Sequence, residues 1–411
     1  MNEYVDNISD STWKHVKWVY ITLVAGIVYQ PLLDWCVQNT ILLRLVQISI
    51  YFTLFFHYRY LYKEGQLSVF PINVQLIILL LGLISFGIVV RGNWNDIELI
   101  KLPGVIFNCI KYLLPFLILY LPNYRYHRYI LRLFYKFAWL YPILAFIMTR
   151  QRSLVYSENG DLSAYEVANF GAGMAFFATF LLGQMSGIFS KREKLCVVGI
   201  WGLFLFFALL NARRTSIFAS VSMATIAYYY VNSKKGIVIG MVSLFLIGII
   251  ALVIYINLNV LFTMRILDYL GERGLEDTRS GVEELFFWDF SHSSFTDWIF
   301  GRGVDGGYLQ SYQDSDGNIV DIRTGIETGF LNDILKGGIV YVVLYGLLWI
   351  LSIFRTINNN KEFSSLFRWI LLFYIIYNYC FCTVINNSVN SIVFWYIISY
   401  VLAQDKIKCR L

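Results

Sequence analysis

Apolar stretches of roughly 20 residues recur along almost the whole chain, and a stretch of that length can cross a bilayer as a single helix. They fall near 16–33, 40–56, 72–90, 104–121, 129–149, 165–187, 195–210, 215–231, 236–258, 326–354, 366–385 and 389–403. A water-soluble core has no place for about twelve such runs. The charge content agrees: 15% of the 411 residues are charged and 58% are hydrophobic, against about 25% charged in a soluble domain. Mean hydropathy is +0.59. The pattern predicts an all-α polytopic membrane protein of about 12 transmembrane helices, one transmembrane domain over 1–411. The opening residues, MNEYVDNISDSTWKH, are polar and lack the short apolar core of a cleavable signal. The net charge of +6 is spread over many connections and carries no nucleic-acid signature. None of the six cysteines has the spacing of a zinc site, so no metal is expected.

One connection differs from the rest. Residues 259–325, between the ninth and tenth spans, form a 67-residue segment where all other connections are short. A segment of that length carries its own structure or function. NVLFTMRILDYLGER has amphipathic spacing and VEELFFWDF predicts a second short helix. With both termini placed in the cytoplasm, the inner loops hold eighteen Lys and Arg and the short outer loops seven. That bias satisfies the positive-inside rule and puts the long segment outside.

The basic residues also differ in kind. The inner set has ten Lys and eight Arg, the outer short loops six Arg and one Lys, and the long segment five Arg and no Lys. Orientation does not ask for Arg over Lys. Binding phosphate or carboxylate does, because guanidinium is a planar fork that pairs bidentately. Arg213 and Arg214 in NARRTS, with Arg150 and Arg279, are therefore candidate anion-binding residues. The competing reading pairs outer arginines with neighbouring Asp and Glu or with headgroups.

GIETGFLNDILKGG opens the tenth span, with Glu327, Asn332, Asp333 and Lys336 on its first turns and the uninterrupted apolar run beginning only at Gly337. Glu327 at a helix N-terminus complements the dipole whether or not it has a chemical role. In IFGRGVDGGY, Gly301 and Gly303 mark a turn of close backbone approach. His292 is the one histidine on the outer side, a candidate general base or an ordinary loop residue.

Taken together, NARRTS at the head of a span, DTRSGVEELFFWDF in a long external segment, FGRGV, and ETGFLNDILKGG resemble the O-antigen and capsular repeat-unit polymerases (Wzy-type), which group with the O-antigen ligases. The motifs cover roughly residues 200–350. The resemblance implies transfer of a growing glycan from undecaprenyl pyrophosphate to the next lipid-linked repeat unit, at the outer face of the bacterial cytoplasmic membrane. It implies no metal, cofactor or nucleotide sugar. The partners it implies are lipid-linked donor and acceptor oligosaccharides and the bilayer, with a chain-length regulator protein as a further partner. Arg213 or Arg214 and Arg279 would hold the pyrophosphate. Gly301 and Gly303 match the structural turn. The ligases open the helix after the loop with His then Asn, where this chain has Glu327–Thr328, so Glu327 takes the place of the base and His292 is the second candidate.

The alternatives are an O-antigen ligase, sharing the donor, and a lipid-linked oligosaccharide flippase. Many transporters carry internal repeats, and none is visible here. The first outer loop, DWCVQNT, holds only Asp34 and lacks the acidic pair of metal-dependent oligosaccharyltransferases.

Overall fold

The structure is a computed structural model that describes residues 10–36, 40–92, 112–151, 174–185, 188–210, 214–232, 280–313, 319–326, 328–358, 363–380 and 389–403. The chain divides into two compact units. One comprises 1–133, 282–360 and 374–411, the other 134–281 and 361–373.

The first unit begins with α1 (Asp10–Cys36) and α2 (Thr40–Lys63), which pack as an antiparallel pair. Next comes α3 (Ile72–Val90), started by Pro71 in extended conformation and ended at Arg91. Val74, Ile78, Leu81, Ser85 and Ile88 form its buried stripe. Its other face is apolar as well: Ile72, Leu76, Leu79, Leu83 and Phe86 are exposed. The short α4 (Leu114–Tyr120) follows. Where the sequence predicts one span over 129–149, the structure has two 12-residue helices, α5 (His127–Ala138) and α6 (Leu140–Gln151). Pro142 explains the break: it has no amide to donate, and its ring crowds the carbonyl four residues back, at Ala138. In α5, Arg128, Arg132 and Lys136 are exposed on one stripe, while Ile130, Leu131, Phe134 and Phe137 are buried on the other. That is the pattern of an amphipathic helix.

The second unit holds the end of α5 from Phe134, all of α6, and the apolar α7 (Met174–Gln184), α8 (Lys191–Leu210) and α9 (Arg214–Asn232). Ser190 and Glu193 form a reciprocal capping box at the head of α8. The predicted span 236–258 and the predicted amphipathic helix over 259–273 lie outside the described residues.

Within the long segment the described elements are α10 (Ser280–Ser291), α11 (Phe295–Phe300), β1 (Tyr308–Gln313) and β2 (Ile319–Arg323). The short helix expected at VEELFFWDF lies within α10, and the strand pair is an addition that the sequence reading did not include. β1 and β2 pair antiparallel, Tyr308 opposite Arg323, and the sequence between them is DSDGN. The chain then enters α12 (Gly329–Ile357), followed by α13 (Ser364–Cys380) and α14 (Val389–Leu402). Among the described residues, α3 and α12 are long and apolar enough to cross a membrane. Only 28% and 39% of their apolar windows are buried, which is unlike the core helix of a soluble protein.

α12 is two helices joined at Gly338, whose φ of 73° and ψ of −178° are not helical. The 19 residues beyond the kink span ~28 Å, close to the ~30 Å hydrocarbon core of a bilayer. The part before the kink carries the buried polar side chains Asn332, Asp333 and Lys336. It packs with Phe286 and Phe290 of α10 and with Tyr308 of β1 in a separate small core.

Candidate functional site

Three segments meet at the Gly338 kink: the end of α3, the loop 301–307, and the head of α12. The kink leaves the carbonyls of Leu335 and Lys336 without a regular helical partner one turn on. Loop amides take them instead, Arg302 N–H donating to Leu335 at 2.7 Å and Gly303 N–H to Lys336 at 3.1 Å. The Val304 N–H donates to Ile88 of α3 at 3.0 Å.

Such contacts need glycine. Gly301 and Gly303 have φ of 68° and 84°. A Cβ on Gly303 would sit 2.8 Å from the Arg91 carbonyl oxygen, and one on Gly301 2.5 Å from the Gly337 nitrogen. Here the glycines serve both purposes available to them, left-handed backbone and close approach.

Side chains complete the clamp. Lys336 is buried, and its ammonium donates to the carbonyls of Val304 (2.8 Å), Gly306 (2.8 Å) and Thr324 (2.6 Å). Three donors meet three carbonyls, so the charge is solvated by protein in place of water. Arg302 bonds Asp289, Asp297 at 3.2 Å and the Gly307 carbonyl at 2.6 Å, with its guanidinium 4.6 Å from the centre of the Phe290 ring. Arg91 donates to the Gly301 carbonyl and lies 3.9 Å from Asp297. Arg91 and Arg302, which the sequence reading assigns to the outer side, thus pair with carboxylates and carbonyls. An Asp289→Asn exchange is expected to lower stability by about 1–3 kcal/mol, read as a lower thermal midpoint in detergent. Arg302 keeps Asp297 and Gly307, which limits the loss.

At the head of α12, Thr328 is the residue before the first helical one, and its hydroxyl donates to the Glu283 carboxylate of α10. Glu283 thereby places negative charge at a helix N-terminus, the favourable end. One turn in, Asp333 is buried with Asn378 at 3.5 Å.

His292 follows the last residue of α10 and is exposed. Its Nδ1 lies 2.8 Å from the Trp288 carbonyl and 3.1 Å from the Ser291 hydroxyl, and its ring is 4.7 Å from that of Trp288. Donation from Nδ1 to the carbonyl would leave Nε2 as the basic nitrogen. Glu283 lies nine residues earlier, about 13 Å along the helix, so His292 stands at the opposite end of α10 from the Thr328 contact.

Glu327, Arg213 and Arg279 lie outside the described residues. Arg150 and Arg214 belong to α6 and α9, and their side chains lie outside them too. α12 begins at Gly329 and carries Asn332, Asp333 and Lys336 on its first turns; the expectation for Glu327 itself falls outside the described residues. Of the sequence-derived site residues, Gly301 and Gly303 meet at the clamp and His292 stands apart from it. Sequence reasoning missed the roles of Glu283, Asp289, Asp297 and Lys336. Lys336 did carry a signal, a lone cation wedged between an apolar turn and two glycines.

No family model matches the chain, and no curated protein or solved structure matches it either.

Proposed function

We propose that this chain is a glycan polymerase of the bacterial cytoplasmic membrane, with both termini cytoplasmic. It would transfer a growing glycan from undecaprenyl pyrophosphate to a hydroxyl at the non-reducing end of the next lipid-linked repeat unit, in O-antigen or capsule synthesis. One observation carries the reading most: the segments 280–313 and 319–326 are folded and clamped onto the ends of two apolar helices, α3 and α12. That suits a segment that must present groups to a lipid-borne substrate at a membrane face. The apolar exposed faces of α3 and α12 support the bilayer.

In this mechanism the acceptor hydroxyl attacks the anomeric carbon of the donor. The bond to the pyrophosphate oxygen breaks, and undecaprenyl pyrophosphate leaves with the electron pair. Glu327 accepts the hydroxyl proton or orients that hydroxyl. Arg213 or Arg214, with Arg279 and Arg150, offsets the charge that develops on the leaving group. These roles rest on sequence. Thr328, next in the chain to Glu327, is tied to Glu283, so Glu283 is a positioning residue for that stretch in the same reading.

The test replaces Glu327 with Gln and, separately, Arg213, Arg214 and Arg279 with Ala, in a strain whose polysaccharide is resolved on a gel. The ladder is expected to collapse to a single repeat unit with the protein still present. A normal ladder from all four variants would contradict the site. Lipid-linked units trapped on the inner leaflet of a deletion strain would indicate a flippase, and a loss confined to transfer onto lipid A core would indicate a ligase.

A further inference from the structure

Two histidines outside the clamp face each other across the first helix pair. Nδ1 of His15 on α1 lies 2.8 Å from Nδ1 of His57 on α2. Both rings are held by stacking: His15 lies on Tyr60 with centroids 3.8 Å apart and planes 8° apart, and His57 on Trp18 at 6.0 Å and 4°. Phe56 lies 6.2 Å from His15 and 5.3 Å from His57. Tyr60 donates across the pair to Ser11 at 3.3 Å. Both histidines lie just outside the apolar stretches 16–33 and 40–56, and both are partly exposed, so solvent protons reach them.

An Nδ1 to Nδ1 hydrogen bond needs one ring to donate and the other to accept. A first extra proton can enter on the far nitrogen of the donor ring without breaking the bond. A second proton must go to the accepting Nδ1. The bond is then lost, and two like charges face each other at contact distance.

We propose that His15 and His57 form a proton-operated latch between α1 and α2, closed while the pair holds at most one extra proton and released when both rings are charged. The inference is independent of the enzymatic reading.

The groups around the pair favour release in acid. Among the described residues the charged side chain acting on both rings is Lys14, a cation, and no carboxylate acts on either. Burial first and Lys14 next lower the His15 pKa; burial, His15 and then Lys14 lower that of His57. Both folded-state values lie below the unfolded value of 6.5. The unfolded chain therefore binds these protons first. The contribution of the pair is fully present above about pH 6.5 and is lost as pH falls through the lowered folded values.

Dipolar electron paramagnetic resonance on the full chain in nanodiscs tests the proposal, with nitroxides on Lys17→Cys and Tyr62→Cys and the native cysteines replaced. One short distance is expected at pH 7.5. A longer population should grow as pH falls to 4.5, its ratio to the short one rising by about tenfold per pH unit for the one proton that releases the latch. His57→Phe should abolish the response, and His57→Gln provides a second variant if Phe does not fold. An unchanged distance between pH 7.5 and 4.5, or an undiminished response in the His57 variant, would overturn the latch.

Discussion

Gly338→Ala is expected to prevent the clamp from closing. At φ 73° and ψ −178° the backbone lies in a region that is essentially glycine-only. A Cβ there would overlap the carbonyl of Ile299 and the nitrogen of Phe300, both backbone atoms that cannot rotate away. Backbone strain of about 1–3 kcal/mol adds to that overlap. The loop 301–307 must then lift off the head of α12 or α12 must straighten, and either change breaks the hydrogen bonds from Arg302 and Gly303. We expect a sharp fall in accumulated protein. In the protein recovered, hydrogen exchange should accelerate over 295–307. Gly346→Ala, eight residues on in the same helix, is the control. A Cβ there meets nothing within 4 Å, and helix propensity favours alanine by no more than about 1 kcal/mol. It should leave accumulation and exchange unchanged.

Lys336→Met is expected to be the next most damaging exchange. Methionine nearly matches the length of lysine but donates nothing, so the carbonyls of Val304, Gly306 and Thr324 lose their shared partner. A buried carbonyl left without a donor costs about 1–3 kcal/mol. Part of the site can rehydrate, and removing a buried charge offsets some of the loss, so a net destabilisation of about 2–5 kcal/mol is expected. Arginine should not rescue it, because the cage fits a compact ammonium and not a planar fork. A thermal midpoint for Lys336→Met within a degree of the parent would show that the carbonyl cage contributes nothing.

The parts of the fold legible in sequence were those written in local chemistry. α3 matches its expected span because Pro71 starts it and the apolar run ends at Arg91–Gly92. The helix break inside the expected 129–149 span follows from Pro142, and average hydropathy hides the stripe of Arg128, Arg132 and Lys136. DSDGN between YLQSY and IVDIR is a turn signal between two strand-like runs, which helical periodicity does not register. Gly337–Gly338 announced close packing, yet nothing local said that the second glycine would reverse its φ. Lys336 was visible as a lone cation before two glycines, but the partners that cage it had no signature. Its acceptors are main-chain carbonyls 12 to 32 residues away, and a carbonyl looks the same in every residue. The arginine surplus was visible, but it did not separate arginines that hold the fold from those kept for a ligand. Arg302 belongs to the first group, bonded to Asp289 and Asp297.

The polymerase reading meets its most direct test in a single-turnover reaction of the purified chain with one defined undecaprenyl-pyrophosphate-linked repeat unit, without metal or nucleotide sugar. The reading predicts a product of two repeat units on one lipid with release of one undecaprenyl pyrophosphate. It also predicts that Glu327→Gln reduces this by at least about 100-fold, the lower range for a general base. No dimer of repeat units from folded wild-type protein, or an undiminished yield from Glu327→Gln, would contradict it.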